Sequence, residues 1–89
     1  MPPLYSINIK TPLKAVFEGK ITSLVAPAAA GYVGILANHA PFITTLVPGK
    51  ITLRDDSGKT KTIKSGGPGI LEVLKNNATL LLDSAETES

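Results

Sequence analysis

Apolar and polar residues alternate in several short stretches of this chain, a period typical of β-strands that bury one face. Near the N-terminus, Tyr5, Ile7 and Ile9 alternate with polar residues and are predicted to point inward. Ile51 and Leu53 alternate with polar residues in the same way and are also predicted to be buried. The pattern therefore predicts sheets with one face in water.

Further strands are predicted wherever apolar and β-branched residues lie between turn signals. By residue number they cover 15–18, 21–26, 32–36, 42–47, 50–54, 59–64, 70–74 and 78–82. In the third strand of the chain, Ile21, Ser23 and Val25 are expected to share one face. Pro27 is expected to end that strand, because proline cannot donate to a sheet ladder.

Glycine, asparagine and alanine residues in the middle of the chain carry local predictions. Gly34 lies inside a predicted strand, where glycine indicates a bulge or a close backbone approach. Asn38 begins a predicted turn, since asparagine tolerates the left-handed backbone region. Residues 28–30 are all alanine, but the flanking proline and glycine leave too little room for a helix, so a loop is predicted.

The C-terminal segment 70–89 allows two interpretations, because it contains neither glycine nor proline. Leu71, Leu74 and Ala78 fall at helical spacing, whereas Asn76 and Asn77 favour a two-residue hairpin turn. A hairpin is the favoured interpretation. Many short strands without a convincing helix predict an all-β sandwich or barrel.

Charge is distributed unevenly along the chain. The stretch from Ile21 to Gly49 carries no formal charge if His39 is neutral, whereas protein surfaces are normally dotted with charged residues. Prolines and glycines interrupt this stretch, so it does not predict a membrane span. We therefore expect it to be buried in part and to face a partner in part.

Composition excludes several classes of function. The chain has no cysteine, so it can form neither disulfides nor thiolate metal sites. The net charge of +2 is small and the aromatic residues are few, which argues against nucleic-acid binding.

No group of residues predicts catalysis, a cofactor or a metal. His39 is the only histidine and has no sequence neighbour that would complete a catalytic or metal site. Asp55 and Asp56 lie in a predicted hairpin tip without the calcium-loop pattern. The glycine-rich segment 66–69 lacks the residues of either nucleotide fingerprint. Function is therefore expected in a surface; a stand-alone β-sandwich ligand-binding module and, more remotely, an enzyme around His39 are the alternatives.

The order of the motifs resembles the epsilon subunit of F-type ATP synthase over essentially the whole chain. The motifs that carry the resemblance are Gly34-Ile35-Leu36, Asn38-His39-Ala40-Pro41, Pro48-Gly49, Gly69-Ile70-Leu71-Glu72-Val73 and the segment from Asn77 to Glu86. The resemblance implies a flattened β-sandwich of about ten short, mostly antiparallel strands. It places the sandwich domain at residues 1–84 and an acidic C-terminal tail at residues 85–89.

The resemblance also implies a function and partners. It implies a non-catalytic rotor subunit of the central stalk, which binds the gamma subunit and the ring of c subunits and helps to couple ion flow to ATP synthesis. It implies no cofactor, no nucleic acid and no small-molecule substrate. The expected location is the cytoplasmic face of the bacterial plasma (inner) membrane, where the chain is held through its partners only.

Site residues are implied by position in the family pattern. The loops expected at one end of the sandwich, in contact with the c ring, contain Ala29, Ala30, Gly31, Tyr32, Asn38, His39, Ala40 and Pro41. The face expected to contact gamma contains Phe42, Ile43, Thr44, Thr45 and Leu46.

The chain departs from the family pattern at three positions. Asn38 replaces a glycine, Tyr32 replaces an acidic or polar residue, and Pro68 replaces a glycine of the common pair. Most members of the family continue into a C-terminal helical hairpin, whereas this chain stops at Ser89. A chain without the hairpin is expected to lack self-inhibition and ATP binding, whether it is truncated or naturally short.

Overall fold

The computed structural model describes residues 3–88, which form ten β-strands. The strands are β1 (Tyr5–Lys10), β2 (Ala15–Ile21), β3 (Ser23–Ala28), β4 (Gly31–Leu36), β5 (Phe42–Leu46), β6 (Gly49–Arg54), β7 (Thr60–Ser65), β8 (Gly69–Leu74), β9 (Asn77–Leu82) and β10 (Ala85–Glu88). No helix occurs in this part of the chain. The predicted all-β class with about ten short strands is confirmed.

The strands form one continuous mixed sheet that folds over on itself. Its order is β10-β7-β6-β3-β5-β8-β9-β1-β2, and β4 pairs with β3 outside this path. All described pairs are antiparallel except β1 with β9, which is parallel. The two end strands, β10 and β2, lie close to each other, so the sheet nearly closes around its core.

The core consists of side chains at alternate positions of these strands. Ile9, Leu24, Ile51, Ile63 and Leu80 are completely buried, each on a different strand. The residues predicted to point inward near the N-terminus and in β6 are buried as well, so the alternating pattern identified the correct inward face of both strands. Burial of these aliphatic side chains is the main force that holds the two halves of the sheet together.

A break at Thr22 corrects the predicted third strand. Thr22 separates β2 from β3, and its N–H donates to the Arg54 carbonyl oxygen at 2.7 Å. Because the phase changes at this point, β3 buries Leu24 and Ala26 and leaves Val25 40% exposed. The expectation that Val25 shares the inward face of Ile21 is therefore wrong.

Pro27 lies within β3 instead of ending it. The β3–β6 ladder stops at Val25, so the missing N–H of Pro27 interrupts no hydrogen bond with β6. The Pro27 carbonyl oxygen accepts a hydrogen bond from the Val47 N–H at 2.9 Å. The strand therefore continues to Ala28, and the expected alanine loop shrinks to the two-residue turn Ala29–Ala30.

The C-terminal segment forms the favoured hairpin, with one shift in the turn. Lys75 and Asn76 have φ angles of 49° and 59°, and Leu74 pairs with Asn77. Two successive positive φ angles are typical of a type I′ hairpin turn, so the turn lies one residue earlier than predicted.

Residues 85–88 do not form the expected acidic tail. They form β10, which pairs antiparallel with β7 so that Ala85 lies opposite Ser65. Ala85 is half-buried and packs against the core, which ties this strand to the sandwich. Residues 1–2 and 89, which the expected domain limits include, lie outside the described residues.

Candidate functional site

Strand β4 has one open edge. Among the described residues it pairs only with β3, through a hairpin in which Ala28 lies opposite Gly31. The Pro27 carbonyl oxygen accepts from the Val47 N–H, and the Ala29 N–H donates to the Thr45 carbonyl oxygen, so both groups point away from β4. The backbone groups of Ala28, which lies between them, therefore point toward β4. The alternation of an antiparallel ladder then directs the backbone groups of every second residue of β4 toward the open edge, beginning with Tyr32.

The side chains along this edge are exposed and uncharged. Tyr32 is 64% exposed and Leu36 is 63% exposed, and nothing lies within 4 Å of a Cβ built on Gly34. Gly34 therefore marks neither the bulge nor the close approach that its position predicted. Exposed sheet edges are usually protected by charged residues, prolines or bulges. An edge without charge fits a surface that a partner covers.

The structure corrects the expected arrangement of the two predicted c-ring segments. The turn Ala29–Ala30 and the segment Asn38–Pro41 lie at opposite ends of β4, not at one end of the sandwich. A strand of this length spans about 20 Å. All eight predicted residues are exposed or half-buried, namely Ala29, Ala30, Gly31, Tyr32, Asn38, His39, Ala40 and Pro41. We call this continuous strip, residues 29–41, the β4 edge.

Tyr32 packs at one end of the β4 edge. A Cβ built on Gly49 would lie 3.0 Å from Pro27 Cγ and 3.4 Å from Tyr32 Oη. A side chain at position 49 would therefore push against both rings. Gly49, the first residue of β6, has no side chain and so leaves space for the exposed tyrosine.

A pair of asparagines holds the other end of the β4 edge. Asn38 has a φ of 64°, which confirms the predicted left-handed conformation. Its N–H donates to Asn76 Oδ1 at 2.6 Å, and Asn76 Nδ2 donates to Asn38 Oδ1 at 3.1 Å. The Asn76 carbonyl oxygen accepts from the Ser6 N–H at 3.0 Å, which fixes the turn to β1. Only this tertiary contact identifies Asn76 as part of the site, because its sequence neighbours indicate nothing but a turn.

His39 is half-buried beside this pair. Its Nδ1 donates to the Ala40 carbonyl oxygen at 2.7 Å, and its ring meets Phe42 edge-on with centroids 5.5 Å apart. These contacts orient the ring but provide neither a nucleophile nor a carboxylate. The arrangement suits a contact residue better than a catalytic base.

The outer face of β5, β8 and β9 presents a second exposed apolar surface. Ile43 is 67% exposed, Ile70 43% and Leu81 51%. Ile70 pairs with Leu81 and with Thr45, so these side chains are neighbours on the same face. We call Ile43, Thr45, Ile70 and Leu81 the apolar patch.

The apolar patch contains two of the five predicted gamma contacts. Ile43 and Thr45 are exposed, whereas Phe42 and Thr44 are half-buried and Leu46 is buried, with 2% exposure. Leu46 cannot touch a partner without unfolding of the strand. Ile70 and Leu81 were not predicted as site residues, because only the strand register brings them next to Thr45.

The acidic hairpin tip serves a structural purpose. Asp55 Oδ1 accepts hydrogen bonds from the Ser57 N–H at 2.9 Å, the Ser57 hydroxyl at 2.8 Å and the Lys59 N–H at 3.0 Å. The Ser57 hydroxyl in particular lowers the pKa of the Asp55 carboxyl.

Within residues 3–88, no cluster of histidine, aspartate and glutamate could hold a metal ion, and no helix could cross a membrane.

Comparison with known proteins gives a consistent family. The profile of the family described as "ATP synthase, Delta/Epsilon chain, beta-sandwich domain" matches residues 4–88. The "ATP synthase epsilon chain" of Dichelobacter nodosus is 37% identical over 81 residues, covering 91% of this chain and 56% of that relative. The same protein of Latilactobacillus sakei is 41% identical over 83 residues, covering 91% of this chain and 57% of that relative. The chain thus spans little more than half the length of these curated relatives.

Solved structures share the fold at low sequence identity. A chain of the Euglena gracilis mitochondrial ATP synthase (OSCP/F1/c-ring) superposes with a TM-score of 0.89 at 16% identity, covering 98% of this chain and 55% of that chain. A chain of the Tetrahymena thermophila mitochondrial ATP synthase (central stalk/c-ring) superposes with a TM-score of 0.77 at 15% identity, covering 96% of this chain and 67% of that chain.

Proposed function

This chain belongs to the ATP synthase delta/epsilon-chain family, and from that premise we propose that it is a non-catalytic central-stalk subunit of an F-type ATP synthase. It binds the gamma subunit and the c ring and helps to couple ion translocation to ATP synthesis. The observation that carries this proposal is the open, uncharged β4 edge on a sandwich whose family is known.

The β4 edge is proposed as the surface for the c ring. Two hydrogen bonds with Asn76 hold the end at Asn38, and at the other end Tyr32 lies opposite Pro27 and beside Gly49. A surface that is ordered before binding loses little conformational freedom when the partner arrives. The absence of charge between Ile21 and Gly49 suits a neutral contact and involves no desolvation of ions.

The apolar patch is proposed as the surface for gamma. Ile43, Ile70 and Leu81 lie together on a sheet face, where their burial would favour association. This face belongs to β5, β8 and β9, whereas the β4 edge belongs to the β3–β4 hairpin. The two surfaces therefore use different strands, so one small domain can bind two partners at once.

A tightly packed core between two binding surfaces suits the transmission of force between the two partners. Tightly packed cores resist deformation, so a load applied at the β4 edge is transmitted to the apolar patch without internal rearrangement. The proposed location is the cytoplasmic face of the bacterial plasma membrane, where the chain is held through the ring and gamma.

The proposal is tested with the purified chain, gamma and the c ring from the same genome. Binding to each partner is measured for the wild type and for two variants, Tyr32→Asp on the β4 edge and Ile43→Asp on the apolar patch. Tyr32→Asp should weaken binding to the c ring and leave gamma binding intact, whereas Ile43→Asp should do the reverse.

A matched control separates specific contacts from general effects of charge. Leu13→Asp introduces the same carboxylate at an exposed apolar position in the turn between β1 and β2, outside both surfaces. This variant should bind both partners as the wild type does. Failure of the wild type to bind either partner, or equal losses in all three variants, would contradict the proposal.

A further inference from the structure

A row of hydrogen-bond acceptors crosses the outer face of four neighbouring strands. Glu72 on β8 lies opposite Thr79 on β9, Thr79 opposite Asn8 on β1, and Asn8 opposite Glu18 on β2. The residues flanking these positions along β8, β9 and β1 are buried, so the four side chains share the outward face. We call these four residues the acceptor row. With strands about 4.8 Å apart, the row is about 14 Å long.

One acceptor in this row has no donor. Asn8 Oδ1 is buried and has no hydrogen-bond partner among the described residues. A buried acceptor left unpaired costs about 1–3 kcal/mol, so such groups are rare in folded proteins and call for an explanation. Rotation of the terminal amide about χ2 has broad freedom and can turn this oxygen outward when a donor arrives.

A surface depression of about 360 Å³ lies beside Asn8 and offers room for that donor. Polar side chains line most of it: Ser6, Asn8, Glu18, Asn77 and Thr79. Glu18 is the only charged residue in its lining. Lys20 lies opposite Ser6, two residues from Glu18 on the same face of β2, and it also lines a separate depression with Phe17 and Lys61. Within the lining of the depression beside Asn8 the one formal charge is the Glu18 carboxylate, and it favours a cationic donor.

We propose that the acceptor row binds an arginine or lysine side chain of the subunit that covers this face. Ile43, in the apolar patch, lies opposite Glu72, so the row begins where the patch ends. This inference rests on the proposed function, which makes gamma the covering subunit. The cation pairs with Glu18 and donates to the rotated Asn8 amide oxygen and the Thr79 hydroxyl. The patch then provides apolar contact, and the row fixes the register of the partner.

Affinity for gamma is the quantity that tests this inference. Glu18→Gln removes the charge but keeps the size of the side chain, and it should weaken gamma binding about tenfold. Asn8→Asp keeps the shape and adds a carboxylate, so it should preserve or tighten binding and make the affinity fall more steeply with salt. Thr79→Val removes one acceptor and should weaken binding without altering the salt dependence.

Glu86→Gln is the matched control, because Glu86 lies on β10, outside this face. It should leave the affinity for gamma unchanged, and the thermal stability of every variant is measured alongside. If the wild type binds gamma but Glu18→Gln and Asn8→Asp bind with wild-type affinity and salt dependence, the acceptor row is not a cation site and the proposed function still stands. If the wild type does not bind gamma, both proposals are overturned.

Discussion

Asn38 and Asn76 hold each other through two hydrogen bonds between loops that are 38 positions apart in the sequence. Both residues have left-handed backbones, with φ angles of 64° and 59°. The pair joins one end of the β4 edge to the β8–β9 turn, and the turn is itself bonded to β1. The loop at residues 38–41 is thus ordered by residues that do not belong to it.

Replacement of either asparagine by glycine should therefore loosen the loop without straining the backbone. Glycine adopts positive φ angles freely, so neither substitution strains the backbone. Asn76→Gly removes both hydrogen bonds of the pair, whereas Asn38→Gly removes only the one that the Asn38 side chain accepts. A double-mutant cycle in urea should give a coupling of about 0.5–1.5 kcal/mol. Amide exchange at Asn38 should accelerate in the Asn76→Gly variant. Additive losses of stability would show that the two side chains do not cooperate.

Tyr5 connects β1 to the buried side of β4. Its hydroxyl donates to the Ile35 carbonyl oxygen at 2.6 Å, and burial raises the pKa of the Tyr5 phenol well above its ordinary value. The unfolded chain releases this proton near pH 10, whereas the folded chain retains it. The stability contributed by Tyr5 is therefore complete below pH 10 and is lost as the pH rises beyond it.

Tyr5→Phe should lower the free energy of unfolding by about 0.5–1.5 kcal/mol at neutral pH, because the Ile35 carbonyl loses the Tyr5 hydroxyl but keeps its place in the β3–β4 ladder. The deficit relative to the wild type should shrink at about pH 11, where the wild type alone loses the Tyr5 contribution. Urea unfolding of both proteins at the two pH values checks this, and their shared lysines cancel in the comparison. An equal deficit at both pH values would contradict the raised pKa.

Much of the fold follows from the alternating pattern, and the exceptions arise from tertiary contacts that the pattern does not contain. The phases of β1 and β6 are fixed by Ile7, Ile9 and Ile51, which cannot face water together. The change of phase at Thr22 could not be predicted, because the apolar residues on both sides read as one strand. The hydrogen bond of Thr22 to Arg54, a tertiary contact, decides where the strand is interrupted.

The candidate site, too, could be predicted from the sequence only in part. The lack of charge around the β4 edge is a property of the sequence alone, and Tyr32 and His39 were selected without a structure by their position in the family pattern. The apolar patch could not be selected completely, because Ile70 and Leu81 join it only through strand register. The unpaired oxygen of Asn8 depends on three strands meeting, and no local pattern indicates it.

Two glycines in strands should respond oppositely to substitution by alanine. A Cβ at Gly69 would lie 2.7 Å from the Leu81 carbonyl oxygen and 2.7 Å from Leu82 Cδ2, whereas a Cβ at Gly34 would touch nothing within 4 Å. Gly69→Ala should destabilise by about 1–3 kcal/mol through overpacking. Gly34→Ala should leave stability unchanged or raise it by up to about 1 kcal/mol, because the unfolded chain loses freedom. Thermal melting of both variants checks the contrast, which would be refuted by similar shifts of Tm.

Neighbouring residues of β5 should separate stability from partner binding. Leu46→Ala opens a cavity in the core and should destabilise by about 2–5 kcal/mol, since Leu46 is only 2% exposed. Ile43→Ala acts on a side chain that is 67% exposed and should change stability by less than about 0.5 kcal/mol. Urea unfolding measures both values. A large loss of stability in Ile43→Ala would mean that this residue supports the fold and is not a free contact.

Lys50 and Lys64 lie directly opposite each other on β6 and β7, and both side chains are exposed. Like charges at opposite positions of an antiparallel pair are destabilising, whereas unlike charges stabilise by about 0.2–1 kcal/mol. Lys50→Glu should therefore raise the free energy of unfolding by about that amount at low salt. Lys14→Glu changes the net charge equally, but Lys14 lies in the β1–β2 turn, outside the strand ladders. The gain should be absent in this control and should fade at about 1 M salt, where the screening length shrinks to about 3 Å. A gain that is independent of salt, or equal in both variants, would show that cross-strand repulsion is not its source.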